Sequence, residues 1–269
     1  MTAQRHRSAC ALLLAGSAIG SPCLAGTEGA AVWVGRFDDG AGPWREVAVN
    51  PKLGRNRFEL REWDGVAALE VQSRRSMSLY ARPITVDLAA TPMLCWRWRV
   101  DAPLVSADLL TRAGDDYAAR VYVSLAVPPE QQSFGLRAQL KVARAIWGPE
   151  VPDAALNYVW DNRQAIGTTR ANAYTDRAMM VVLRTGASDA GRWVNERRDV
   201  GADAVRHYGA GVSAVQLALT ADTDNTGEEA HAGFADLHFV ARSAPCRRHG
   251  ASPATEVRAA EPKGSDAAK

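Results

Sequence analysis

Several common signatures are missing from this 269-residue chain, and each absence removes a class of function. There is no Gly-x-Ser-x-Gly elbow, no Gly-x4-Gly-Lys loop and no His-Glu-x-x-His pair. Serine hydrolases of the elbow type, P-loop nucleotide enzymes and zinc proteases of that kind are therefore not indicated. "GAGVSA" (209–214) imitates a dinucleotide fingerprint, but it follows a helical stretch and opens a strand, the reverse of what binding requires. No acids alternate as Glu-x-Asp-x-Glu on a strand. Charge of one sign is lacking too, with 32 basic against 30 acidic residues. A near-neutral chain has no electrostatic reason to bind nucleic acid. Cysteine is scarce, at four residues.

What is present begins with an N-terminal leader. Arg5 and Arg7 precede an apolar stretch from Ala9 to Ile19, and small residues lead to Ala25. This reads as a secretory signal peptide, residues 1–25, cleaved near Ala25. Its apolar run is too short to span a bilayer, so no transmembrane segment is expected. The expected product is periplasmic or secreted. Its net charge is about zero, because two of the 32 basic residues leave with the leader and no acid does. Cys10 and Cys23 leave as well. Cys95 and Cys246 then remain in an oxidising compartment, where a disulfide and a buried free thiol at Cys95 are both open readings. From Pro245 onward the chain is Ala, Pro and charge without periodicity, a disordered tail over 245–269.

Between these ends, one domain over 30–244 is dominated by strand patterns. "MLCWRWRVDA" sets Leu94, Trp96, Trp98 and Val100 on one face and Cys95, Arg97 and Arg99 on the other. "DDYAARVYVSLAV" opposes Val121, Val123 and Leu125 to Arg120, Tyr122 and Ser124. Similar runs lie at 65–73, 78–88, 155–160, 178–186, 193–200, 212–222 and 234–240. The expected fold is all-β with one or two short helices: an antiparallel β-sandwich of jelly-roll type. The helices are expected at 132–147 and 199–208. The first carries Arg137, Lys141 and Arg144 on one stripe, suited either to a solvated face or to an anionic membrane surface.

Two candidate sites follow. Arg97, Arg99, Arg120 and Tyr122 should point away from the core, with Asn157 and Arg184 beside them and Trp160 and Asp161 at the rim. Guanidinium forks grip carboxylates or sugar hydroxyls, and aromatic rings stack on sugar faces. One shared face would make a binding groove; internal pairing with Asp101, Asp115, Asp116 or Asp161 is the other reading. In "DTDNTG", Asp222, Asp224 and Thr226 offer oxygen ligands at the spacing of the first half of a calcium loop. Gly233 stands where the bidentate glutamate should be, so an EF-hand is ruled out. A weaker structural calcium and a hydrogen-bonded turn remain. No other cofactor is expected. His231 and His238, seven apart, should face opposite ways on a strand.

The stretches "LCWRWRVDAPL", "GDDYAARVYVSL", "ALNYVWDNRQAIGTTRANAYTDRAMMVVLRTG", "GRWVNERRDVGAD" and "LALTADTDNTGEEAHAGFADLHF" resemble the bacterial family catalogued as domain of unknown function 3047. That resemblance implies an exported protein and supplies no catalytic residues. "FDDGAGPW" (37–44) and "FADLHF" (234–239) are similar to the paired first and last strands of galactose-binding-like jelly rolls. The expected function is non-catalytic binding of a saccharide or other polar envelope component. A polysaccharide-active hydrolase or lyase, or a structural partner in an envelope complex, is the alternative.

Overall fold

A computed structural model describes residues 31–147 and 151–249. The leader, the Gly148-Pro149 helix stop and the chain beyond 249 fall outside them. Two twisted sheets pack face to face. The first runs β11 (Val194–Asp199), β6 (Met93–Val100), β13 (Glu229–Val240), β4 (Val66–Arg74) and β3 (Arg57–Trp63), with β1 (Val32–Gly35) also paired to β13. The second runs β2 (Arg45–Val47), β5 (Leu79–Val86), β12 (Ser213–Asp222), β7 (Tyr117–Ala126), β8 (Ala154–Asp161), β10 (Ala178–Thr185) and β9 (Thr169–Ala171). The sandwich is as expected. Pairing is antiparallel except between β8 and β10, which run parallel.

The alternation that suggested strands also builds the core. Leu94, Trp96, Trp98 and Val100 of β6 meet Val121, Val123 and Leu125 of β7 and Leu156, Tyr158 and Trp160 of β8. Rings cross the gap between sheets, Trp96 to Tyr158 at 5.8 Å and Trp98 to Trp160 at 5.7 Å. Burying such aromatic side chains stabilises the fold by roughly 1.5–3 kcal/mol each.

The first helix, α1 (Phe134–Trp147), lays Leu140 inward and leaves Arg137 and Lys141 exposed. The second, α2 (Val200–Tyr208), starts at an Asp199 cap and stops at Gly209, whose φ of 90° favours glycine. It closes one end of the sandwich, where Asp203 accepts the Tyr158 hydroxyl at 2.9 Å and the Arg198 guanidinium at 2.6 Å.

Four strands, β1, β2, β3 and β9, were not read from sequence. β3 is masked by charge, since Arg57, Glu59 and Arg61 stand exposed on it. The first and last strands do pair, but through 32–35; residues 37–44 form no strand, and Phe37 and Trp44 are buried. Residues 245–249, expected as the start of the tail, lie against the sandwich. Cys95 and Cys246 are disulfide-bonded, and residues 241–249 cross one end of the first sheet's outer face. The Arg247 amide donates to His238 Nε2 at 2.8 Å, and the His249 ring meets Asp38 at 2.6 Å.

Candidate functional site

The expected single groove does not form. β6 and β7 are successive strands, yet they belong to different sheets. Outward alternation therefore sends Arg97 and Arg99 to one side of the molecule and Arg120, Tyr122 and Asn157 to the opposite side. Trp160 is no rim residue: it lies in the core, and its indole N–H donates to the Gly186 carbonyl at 3.0 Å. Asp161 is buried and accepts the Arg163 and Gln164 amides, so it braces a turn. Arg184 joins the two sheets at their edge, paired with Glu196 of β11 at 2.6 Å and with Asp189 at 3.1 Å.

On the second sheet, Arg120 is a locked residue. Its Nη1 pairs with Asp222 at 3.2 Å and its Nε donates to Asn157 Oδ1 at 3.4 Å. Its guanidinium carbon stands 4.2 Å from the Tyr122 ring centroid and 5.1 Å from that of Tyr117. Burial opposes its charge. The tyrosine oxygens and the Asp115 and Asp222 carboxylates offset that, so its pKa lies above the ordinary value. Of the calcium-loop residues, Asp222 and Asp224 converge, joined by Asp116. Thr226 is no partner in that convergence: its amide and hydroxyl donate to Asp116 at 2.6 and 2.7 Å.

On the first sheet, the outer face carries a polar cluster around the partly exposed His231. His231 stands between two acids, with Nδ1 at 2.5 Å from Asp101 and Nε2 at 2.6 Å from Glu70. Its ring stacks on Trp63 at 4.6 Å. Arg99 covers the other part of that indole at 4.1 Å and pairs with Asp64 at 2.5 Å. Glu70 also accepts from Arg61 at 2.9 Å and Gln72 at 2.7 Å. Burial alone would raise its pKa, but the Gln72, Arg61 and His231 hydrogen bonds prevail and hold it below the usual range. Trp193, partly exposed, donates to the Trp63 carbonyl at 3.0 Å. The two indoles close over Gly233, where an added Cβ would stand 2.8 Å from Trp193 and 3.1 Å from Trp63.

Beside His231 an open depression of about 280 Å³ is lined by Gln72, Asp101, Glu229 and His231 among others. That is near the lower end of small-ligand sites, roughly 300–1,000 Å³. A larger one, about 590 Å³, lies against α1, where Arg144 is already paired with Asp153 at 2.8 Å.

His231 and His238 share this outer face, against the parity argument. Asp236, at φ 56°, carries a bulge in β13 that shifts the register between Ala235 and His238. One extra residue restores the same side. Both ring nitrogens of His238 are engaged, by the Asp236 carbonyl at 2.6 Å and the Arg247 amide. Glu70, Asp101 and Trp63 were not singled out for this role, because each sits on a different strand or loop from His231. The Trp and His of "REWDG" and "EEAHAGF" were the available signal.

The family model described as "Protein of unknown function (DUF3047)" matches residues 42–238. No curated protein matches. Among solved structures, the chain is similar to the xyloglucanase domain of NopAA, a type three effector from Sinorhizobium fredii, in complex with cellobiose. The identity is 9%, over 74% of this chain and 93% of that one, with a TM-score of 0.39. A likeness that slight carries no argument about this protein.

Proposed function

The chain belongs to this family of unknown function, DUF3047, and from that premise we propose that it binds a saccharide or similar polyhydroxylated envelope component. The binding surface is the outer face of the first sheet around His231, and binding is non-catalytic. The observation that carries the reading is the mixed set of groups gathered there. Asp101 supplies acceptors, Arg61 and Gln72 supply donors, and Trp193 supplies a partly exposed ring, while the enclosed Glu70 holds Arg61, Gln72 and His231 in place. Sugar hydroxyls both donate and accept, and sugar C–H faces pack on aromatic rings, so such a set is complementary to them.

Hydrolysis is the weaker reading. Two acids cleaving a glycosidic bond need that bond between them. Here the space between Glu70 and Asp101 is filled by the His231 imidazole, which touches both. Export is part of the proposal. It is supported by the leader-like residues 1–25 and by the Cys95–Cys246 bridge, since disulfides persist mainly in oxidising compartments.

The test is a panel of soluble envelope and plant polysaccharides titrated against the mature chain by calorimetry. Trp193→Ala and His231→Ala should each weaken binding about tenfold or more, the loss of roughly 1.4 kcal/mol. A substitution of Lys141, exposed on α1 and lining a different depression, should leave it unchanged. No binding by folded protein, or equal binding by both variants, removes the proposal. Release of reducing sugar would transfer it to the hydrolase reading.

A further inference from the structure

We propose that Asp116, Asp222 and Asp224 form a binding site for a hard divalent cation of calcium's kind, at the outer end of the second sheet. One carboxylate oxygen from each lies within 4.8 Å of the others. That suits a small, oxygen-seeking ion, which gathers carboxylates at about 2.3–2.6 Å from its centre. Proximity of acids alone would not distinguish such a site from a polar surface. The state of Asp222 does. Its residue is 3% exposed, and one oxygen is held by Arg120. The other oxygen, Oδ1, is shut away from water and has no hydrogen-bond partner among the described residues. A buried, unpaired carboxylate oxygen is costly unless a proton or a cation answers it.

The neighbours do not supply that answer. Asp224 approaches Asp222 closely enough to hydrogen-bond it, but only if a proton stands between the two acids. Three carboxyl groups meet here, those of Asp116, Asp222 and Asp224, and Arg120 pairs with Asp222. Asp116 and Asp222 are both buried, so their charges are poorly screened from one another. An ion of charge two placed among them would relieve that repulsion.

The surrounding chain is arranged to keep the acids in place. Thr226 and the Asn225 amide hold Asp116 from the other side, at 2.6–3.3 Å. The Gly227 amide closes the loop on the Thr223 carbonyl at 3.0 Å. Thr226 is thus a positioning residue, and Asp116, reached from a loop more than a hundred residues earlier, takes the ligand place that the loop itself lacks.

The mature chain is stripped with chelator and its thermal unfolding followed with added calcium or magnesium. Five millimolar calcium should raise the midpoint by about 5 °C, for a dissociation constant near 0.1 mM. Magnesium should do less, since it demands a stricter octahedron. Terbium, which takes calcium's ligands, should emit when tyrosine is excited, because Tyr117 and Tyr122 flank Arg120 nearby. Calcium should quench that emission. Asp224→Asn, at a partly exposed position, should abolish both responses. An unchanged midpoint with no terbium signal in folded wild type overturns the site. So does a midpoint that ignores calcium and rises as the pH falls, which would assign the gap to a shared proton. The terbium reading on wild type decides the matter even if the variant fails to fold.

Discussion

The two outer faces of this sandwich carry similar residues in different states. On the second sheet, Arg120 is enclosed: its side chain is 6% exposed and its partner Asp222 5%. On the first, Arg99 is nearly as covered at 8%, yet its partner Asp64 is 66% exposed. The difference teaches that an outward-pointing strand position does not guarantee a surface. The stretch before β7 and the loop after β12 fold back over Arg120, with Asp116 accepting the Asn225 and Thr226 amides. Nothing among the described residues folds over His231 in that manner, and it remains 29% exposed. One face is a polar interior at the edge of the core; the other is partly open to solvent at His231.

The largest expected effect tests that contrast directly. Arg120→Ala leaves Asp222 buried without its counter-charge and should cost about 3–5 kcal/mol. Arg99→Ala leaves an acid that can turn to water and should cost about 1 kcal/mol. Denaturant unfolding of the two variants measures both, and equal losses would break the comparison. Next is the disulfide, which fastens residues 241–249 across the first sheet's outer face. Cys95→Ser should cost about 2–4 kcal/mol while leaving ligand binding at His231 intact. A loss of binding would show that the strap shapes the site.

The smallest effect is one of sign. Glu70 has a folded pKa below its ordinary 4.5, so it contributes stability that is present above that value. That contribution is lost as pH falls through the folded value. Asp222 is raised well above 3.8, so its sign is opposite. The folded state binds its proton more readily than the unfolded chain, and acidification from the raised value toward 3.8 adds stability. Comparing wild type with Glu70→Gln and Asp222→Asn by thermal unfolding at graded pH isolates each contribution. Calcium at its site should suppress the Asp222 effect and leave that of Glu70.

Much of the architecture was legible. Leu94, Trp96, Trp98 and Val100 are inward as their alternation required, and both helices fall within two residues of their expected starts. Cys95 and Cys246 were the pair to watch, though spacing could not decide between bridge and free thiol. The site was less legible. Asp222 and Asp224 do converge, but Asp116 was offered only as a salt-bridge partner. Glu70, which frames His231, comes from a strand whose apolar run carried no sign of a shared site, and Trp63 was a signal only by its residue type.

The amino-acid order by itself determined which side chains of each strand face in and which face out, because a pleated backbone alternates every two residues wherever it lies. Only the tertiary structure decided which sheet each strand joins, and so whether two outward arginines are neighbours or stand on opposite sides. It also decided that His231 and His238 share a face, since a single bulged residue at Asp236 reverses parity. Sheet membership and bulges arise from pairing between segments far apart in the chain, which a local period does not encode.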